Sequence, residues 1–168
     1  MTPAYLGIGT NQDRQRNLSE CLRRLEERFG PVRRSSVYRS PAVGFDGRDF
    51  LNLVVEIHTD LQPVELNSSL KTIEAEMGRR PEDAGFADRC IDVDLLLHGD
   101  RVGSFGPVRL PHQDILAYPF ILRPLSELAP DLIHPEEQRS LAELWIAMQA
   151  NSGLQRVQLG SLSPGRLR

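Results

Sequence analysis

The chain has 168 residues, 40% of them apolar and 26% charged, a composition that suits one soluble globule and excludes a long disordered chain. No apolar run approaches the ~20 residues that cross a bilayer, and a net charge of −3 speaks against a nucleic-acid binder that works by bulk electrostatics. Its two cysteines, Cys21 and Cys90, stand far apart, which argues against a disulfide scaffold or a zinc ribbon and fits a reducing cytoplasm. The opening MTPAYLGIGTNQD has no basic stretch leading into an apolar one and reads as carrying no secretory signal.

Ala4–Gly9 is short and apolar, bounded by Pro3 and Thr10-Asn11, and predicts a buried strand. Leu18, Cys21, Leu22, Leu25 and Phe29 recur at helical spacing, giving an amphipathic helix that ends at Gly30-Pro31. Val32–Ser40 and Phe50–Thr59 read as strands from their β-branched and aromatic content, with Pro41–Asp49 between them as a loop suited to a lid. Pro63 opens a second helix, with Leu66, Leu70, Ile73 and Met77 on one stripe and a stop near Gly78. A charged loop, Arg79–Arg89, feeds the clearest strand of the chain, Cys90–His98. Beyond Gly99-Asp100 the pattern mixes short strands, proline-punctuated loops and two helices, ending near Leu128 and Gln149. Ser161–Arg168 lacks an apolar period and reads as the frayed tail of a single domain spanning residues 1–168. The order β-α-β, β-α-β, then helices, predicts an α+β fold with a ferredoxin-like core: a mostly antiparallel sheet with helices packed on one face.

Asp92 and Asp94 stand two apart on the predicted strand, so both carboxylates leave one face while Ile91, Val93 and Leu95 enter the core from the other. Neighbouring carboxylates repel unless a cation bridges them, and Mg²⁺ suits a pair whose remaining positions go to water and phosphate. Taken alone, D-x-D is more often the solvated polar face of an edge strand. Arg79, Arg80 and Arg89 around the preceding loop supply the bidentate donors that a polyphosphate requires. Lys71 is the one lysine among 20 basic residues, so any anion is held mainly by arginine. No G-x-x-x-x-G-K-[ST] occurs, and Gly7, Gly9, Gly44 and Gly47 form no dinucleotide fingerprint, which leaves a nucleotide to side chains and metal. Among His58, His98, His112 and His134, only His112, in the Leu110-Pro111-His112 corner, is a candidate phosphate donor. Glu74 is placed to reach a ribose or an adenine edge, or to be solvated; Phe50 and Phe120 are placed to sandwich a flat ligand, or to join the core. No serine, cysteine or histidine is arranged as a nucleophile–base set.

Gly9-Thr10-Asn11, Tyr38-Arg39-Ser40-Pro41, Phe50-Leu51-Asn52, Arg89-Cys90-Ile91-Asp92-Val93-Asp94, Leu110-Pro111-His112 and the block Pro119–Pro130 follow one another in a telling order. Over roughly residues 3–135 the chain resembles the 6-hydroxymethyl-7,8-dihydropterin pyrophosphokinase family. The resemblance implies transfer of the pyrophosphoryl group of ATP to the hydroxymethyl oxygen of a reduced pterin, in folate biosynthesis, with AMP released. It implies two Mg²⁺ ions between Asp92, Asp94 and the triphosphate. It sets the pterin between Phe50 and Phe120, with Asn52 and the backbone of Ser40 and Val43 on its edge and Pro41 and Gly44 beside it in the loop. Arg79 and Arg89 join Asp92 and Asp94 as catalytic residues, and Lys71, Glu74, Ile91, Arg109 and His112 fall on the ATP side. The implied partners are a reduced pterin and ATP, without nucleic acid or membrane, in a cytoplasmic protein expected to be a monomer.

Departures from the family pattern cluster on the ATP side. Thr10 replaces a serine, Lys71 a glutamine, Pro81 a loop arginine, Phe86 a tryptophan, Gln113 an aromatic residue and Tyr118 an arginine. They keep a second reading open: a catalytically weak paralogue that binds a pterin or a nucleotide, or one that acts on a related reduced pterin.

Overall fold

The computed structural model describes residues 1–80, 91–149 and 154–157. In chain order its elements are β1 (Thr2–Thr10), α1 (Arg14–Phe29), β2 (Arg33–Arg34), β3 (Val37–Ser40), β4 (Phe50–Thr59), α2 (Pro63–Glu76) and β5 (Asp92–His98). Then come β6 (Gly103–Phe105), β7 (Val108–Leu110), α3 (Asp114–Ala117), α4 (Pro119–Leu128), α5 (Leu141–Met148) and β8 (Gln155–Val157). The main sheet is antiparallel, in the order β5-β1-β4-β3-β8 with β2 also on β4, while β6 and β7 form a separate ribbon. The crossovers α1 and α2 carry the chain past the neighbouring strand, so β1 lies between β4 and β5, as the ferredoxin-like reading expects.

Leu6, Ile8, Leu53, Val55, Val93 and Leu95 meet Leu18, Leu22 and Leu25 of α1 and Leu66, Leu70 and Ile73 of α2 on one face. Tyr5, Val54, Leu96 and Leu97 meet Leu122, Leu125 and Leu128 of α4 and Leu141 and Leu144 of α5 on the other. The helices therefore cover both faces, not the single face expected, because β4 and β5 are apolar on both sides and each side needs a cover. Leu96 and Leu97 share a cluster because the β1–β5 register slips between Tyr5 and Leu6, a bulge that brings consecutive residues to the same side.

The single strand expected over Val32–Ser40 is broken. Ser35 Oγ accepts from the Val54 backbone N–H at 3.0 Å and donates to Ser36 O at 2.7 Å, and the Glu127 carboxylate accepts the Ser36 N–H at 3.2 Å. Side chains thus take over bonds that a continuous ladder would make. Beyond Gly99-Asp100 the expected short strands are β6, β7 and β8, and a further short helix, α3, precedes the two helices expected there; Ser161–Arg168 lies outside the described residues. Among the described residues no helix is long and apolar enough to cross a membrane.

His134 is buried, and its Nδ1 accepts the backbone N–H groups of Glu136 and Glu137 at 3.2 and 3.1 Å. Burial holds its pKa below 6.5, with Glu137 and Glu136 working the other way. The unfolded chain takes up a proton that the folded protein resists. This contribution to stability is therefore complete above about pH 6.5 and is lost as pH falls through the lowered folded value. Melting curves are expected to show Tm falling below that pH in the wild type and less steeply in His134→Asn, which keeps an acceptor oxygen; equal slopes would clear the histidine.

Candidate active site

One row of paired residues crosses the sheet as Tyr38, Asn52, Gly9 and Asp92, and beside it Gly7 stands opposite Asp94. A Cβ on Gly9 would lie 3.0 Å from Asn52 Oδ1, so the glycine keeps this stretch of sheet bare. Asn52 Nδ2 donates to Ser40 Oγ at 2.8 Å and to Tyr38 O at 3.4 Å, which turns Oδ1 over Gly9 as an acceptor. Above this floor opens a cavity of about 390 Å³, lined by Ser40, Pro41, Val43, Phe50, Asn52 and Phe120 together with Asp92 and Asp94. Gly44 does not line it; at φ 83° it turns the loop between Val43 and Phe45, which both do. Phe45 meets Phe50 edge-on at 6.3 Å, and Tyr118 stacks on Phe120 at 5.0 Å, giving two aromatic walls.

Phe45 escaped the sequence reading, although an aromatic residue beside Gly44 in the loop was a signal. Asn11 and Arg14 also escaped it as loop anchors: Asn11 Nδ2 donates to Arg48 O at 3.3 Å and Arg14 Nη1 to Asp49 O at 3.0 Å. Their partners lie more than thirty positions away in sequence, |i−j| = 37 and 35, so no local pattern points to them.

Among the described residues β5 is an edge strand, and the outward N–H and C=O of Val93 have no strand partner there. Glu74 Oε2 accepts that N–H at 2.7 Å, and Lys71 Nζ donates to that carbonyl at 2.9 Å. Glu74 is 5% exposed and also pairs with Lys71 Nζ at 3.0 Å and Arg79 Nη1 at 3.1 Å. It thus holds an interior place between α2 and β5, where the sequence pointed to a ribose or adenine edge. Both cations continue to the carboxylate pair: Arg79 Nη1 lies 2.6 Å from Asp92 Oδ1 and Lys71 Nζ 3.3 Å from Asp94 Oδ1. Burial and the neighbouring Asp92 push the Asp94 carboxyl up to about 7, with Lys71 opposing. Burial works against charge on Lys71 and Arg79, yet Asp94 holds the first and Asp92 the second above their ordinary ranges. The Ile91 side chain is fully buried, and only its carbonyl, 3.4 Å from Arg79 Nη1, reaches the site. Arg89, Pro81 and Phe86 lie outside the described residues.

A second cavity of about 350 Å³ adjoins the first and shares Asp94 and Gln113 with it. Lys71, Arg109 and His112 line it. His112 Nδ1 accepts the Asp114 N–H at 3.1 Å, so Nε2 carries the ring proton and serves as a donor. Arg109 pairs at the surface with Glu136 at 3.0 Å. A wider groove of about 990 Å³ along α1 includes none of these residues. Among the described residues no group of three or more His, Cys, Asp and Glu is placed to hold a metal. Two crowded carboxylates fit a cation that takes one or two of them and leaves its other positions to water and phosphate, as Mg²⁺ does.

An aromatic cavity and a basic one that meet at Asp94, one of a carboxylate pair, suit a reaction between a flat ring and a polyphosphate. A sequence model of the 7,8-dihydro-6-hydroxymethylpterin-pyrophosphokinase (HPPK) family matches residues 5–130. The chain belongs to this family. A 2-amino-4-hydroxy-6-hydroxymethyldihydropteridine pyrophosphokinase of Aquifex aeolicus is 37% identical over 145 residues, 85% of this chain and 90% of that one. Its namesake in Methylorubrum extorquens is 37% identical over 164 residues, 94% and 100% of the two chains. Among solved structures, HPPK-DHPS of Plasmodium falciparum with pteroate superposes with a TM-score of 0.70 at 15% identity. That likeness, one of fold, covers 87% of this chain and 42% of the Plasmodium chain.

Proposed function

We propose that this chain transfers the pyrophosphoryl group of ATP to the hydroxymethyl oxygen of 6-hydroxymethyl-7,8-dihydropterin, releasing AMP, in folate biosynthesis. The observation that carries the reading is the meeting of the two cavities at Asp94, which gives each substrate its own pocket and one carboxylate in common. Asn52 Oδ1 accepts from the pterin edge, and the aromatic walls, with Phe50 on one side and Phe120 on the other, flank its ring. The triphosphate enters the basic cavity, where His112 donates and Lys71 and Arg109 supply charge, with Arg79 behind the pair. Asp92 and Asp94 would hold the Mg²⁺, two ions by this reading, which neutralise the charge of the triphosphate when bound. The chain's own part is to align the two substrates and exclude water, since phosphoryl transfer depends on positioning and charge more than on a strong base. Arg89 would add a further phosphate contact. The chain is read as a cytoplasmic monomer of one domain.

The test is AMP release from ATP and Mg²⁺ with and without 6-hydroxymethyl-7,8-dihydropterin. AMP is expected only with the pterin and not after chelation by EDTA. Measurable pterin binding without any AMP would instead favour the binding paralogue.

A further inference from the structure

Each carboxylate of the pair already carries a cation of the chain itself, and the two cations differ in freedom. Arg79 is 14% exposed, and its guanidinium is held by Asp92, Glu74 and the Ile91 carbonyl. Lys71 is 43% exposed and borders the basic cavity on a flexible four-carbon stem. Its three ammonium protons meet three acceptors: Val93 O at 2.9 Å, Glu74 Oε2 at 3.0 Å and Asp94 Oδ1 at 3.3 Å. We propose that Lys71 is the resident counter-ion of Asp94, which lowers the free protein's affinity for a divalent cation and passes to the nucleotide's phosphates when metal and nucleotide arrive together. The proposal rests on the reading of Asp92 and Asp94 as the metal carboxylates.

The physical reason is competition for one oxygen-bearing group. A dication at Asp94 meets a positive charge already in contact with that carboxylate, and either repulsion or displacement of Lys71 opposes its entry. A phosphate in the adjoining cavity offers the ammonium an equivalent partner within reach of a change of rotamer. Lys71 then leaves Asp94 with little loss, so nucleotide and metal favour each other's binding.

The test is Mn²⁺ titrated into the full chain and read by electron paramagnetic resonance, for the wild type and for Lys71→Met, Lys71→Arg and Asp94→Asn. Without nucleotide, Lys71→Met is expected to bind Mn²⁺ at least about tenfold more tightly than the wild type, and Lys71→Arg, which keeps the charge, to stay within about threefold. With α,β-methylene-ATP present the advantage of Lys71→Met is expected to vanish. Damage to a merely structural lysine would weaken binding, so the expected change runs opposite to it. Equal or weaker Mn²⁺ binding by Lys71→Met overturns the proposal, and so does an advantage that persists undiminished with the nucleotide. In either case, loss of the nucleotide-dependent Mn²⁺ signal in Asp94→Asn leaves the carboxylate reading standing. Survival of that signal in Asp94→Asn overturns both.

Discussion

Asp94→Ala is expected to lower pterin-dependent AMP formation at least about a thousandfold, a loss of about 4 kcal/mol in transition-state stabilisation. Asp94 lines both cavities, and no other group of metal-binding side chains is assembled among the described residues to replace it. Burial and Asp92 push the Asp94 carboxyl above the ordinary carboxylate range, with Lys71 opposing, so alanine removes a charge that its surroundings disfavour. The variant should therefore keep the wild-type Tm, or exceed it, in metal-free buffer while losing activity. Chromatographic measurement of AMP beside a melting curve separates the two effects. AMP formation within about tenfold of the wild type would rule out the assigned role.

Glu74→Ala is expected to damage both stability and activity. One buried carboxylate accepts the Val93 N–H of the edge strand and pairs with Lys71 and Arg79, so its removal leaves an N–H and two cations short of a partner at once. Breaking such a buried pair costs about 3 kcal/mol, a fall in Tm of roughly 10 °C for a chain of this size. Arg79 and Lys71 then lose the anchor that aims them at Asp92 and Asp94, and kcat/KM for ATP is expected to fall at least about tenfold. Glu74→Gln should lie between, because its oxygen can still accept from Val93 while its amide nitrogen faces cations. A Tm for Glu74→Ala within about 2 °C of the wild type would show the network to be dispensable.

The places of the main elements are legible in the chain because they follow local periodicity. The stripe Leu18, Cys21, Leu22, Leu25 marks α1, and the run Phe50–Thr59 is β4 residue for residue. Asp92 and Asp94 share a face by the two-residue period of a strand, which needs no knowledge of what lies beside it. The resemblance named seven residues on the pterin side, and all but Gly44 line the aromatic cavity, which Phe45 and Tyr118 line as well. The rest depends on partners distant in sequence. Only the pairing of β1 with both β4 and β5 puts Gly9 between Asn52 and Asp92 and makes it the bare floor of the site. Only the edge position of β5 turns Glu74 from a helix-face carboxylate into the buried acceptor of Val93. The break at Ser35-Ser36 likewise follows from Val54 and Glu127, and the second layer of helices from apolar residues on both sides of β4 and β5. Local periodicity assigns a residue to an element and a face; what that face meets is decided by chain closure over tens of residues, where hydrogen bonds and charges must all find partners together.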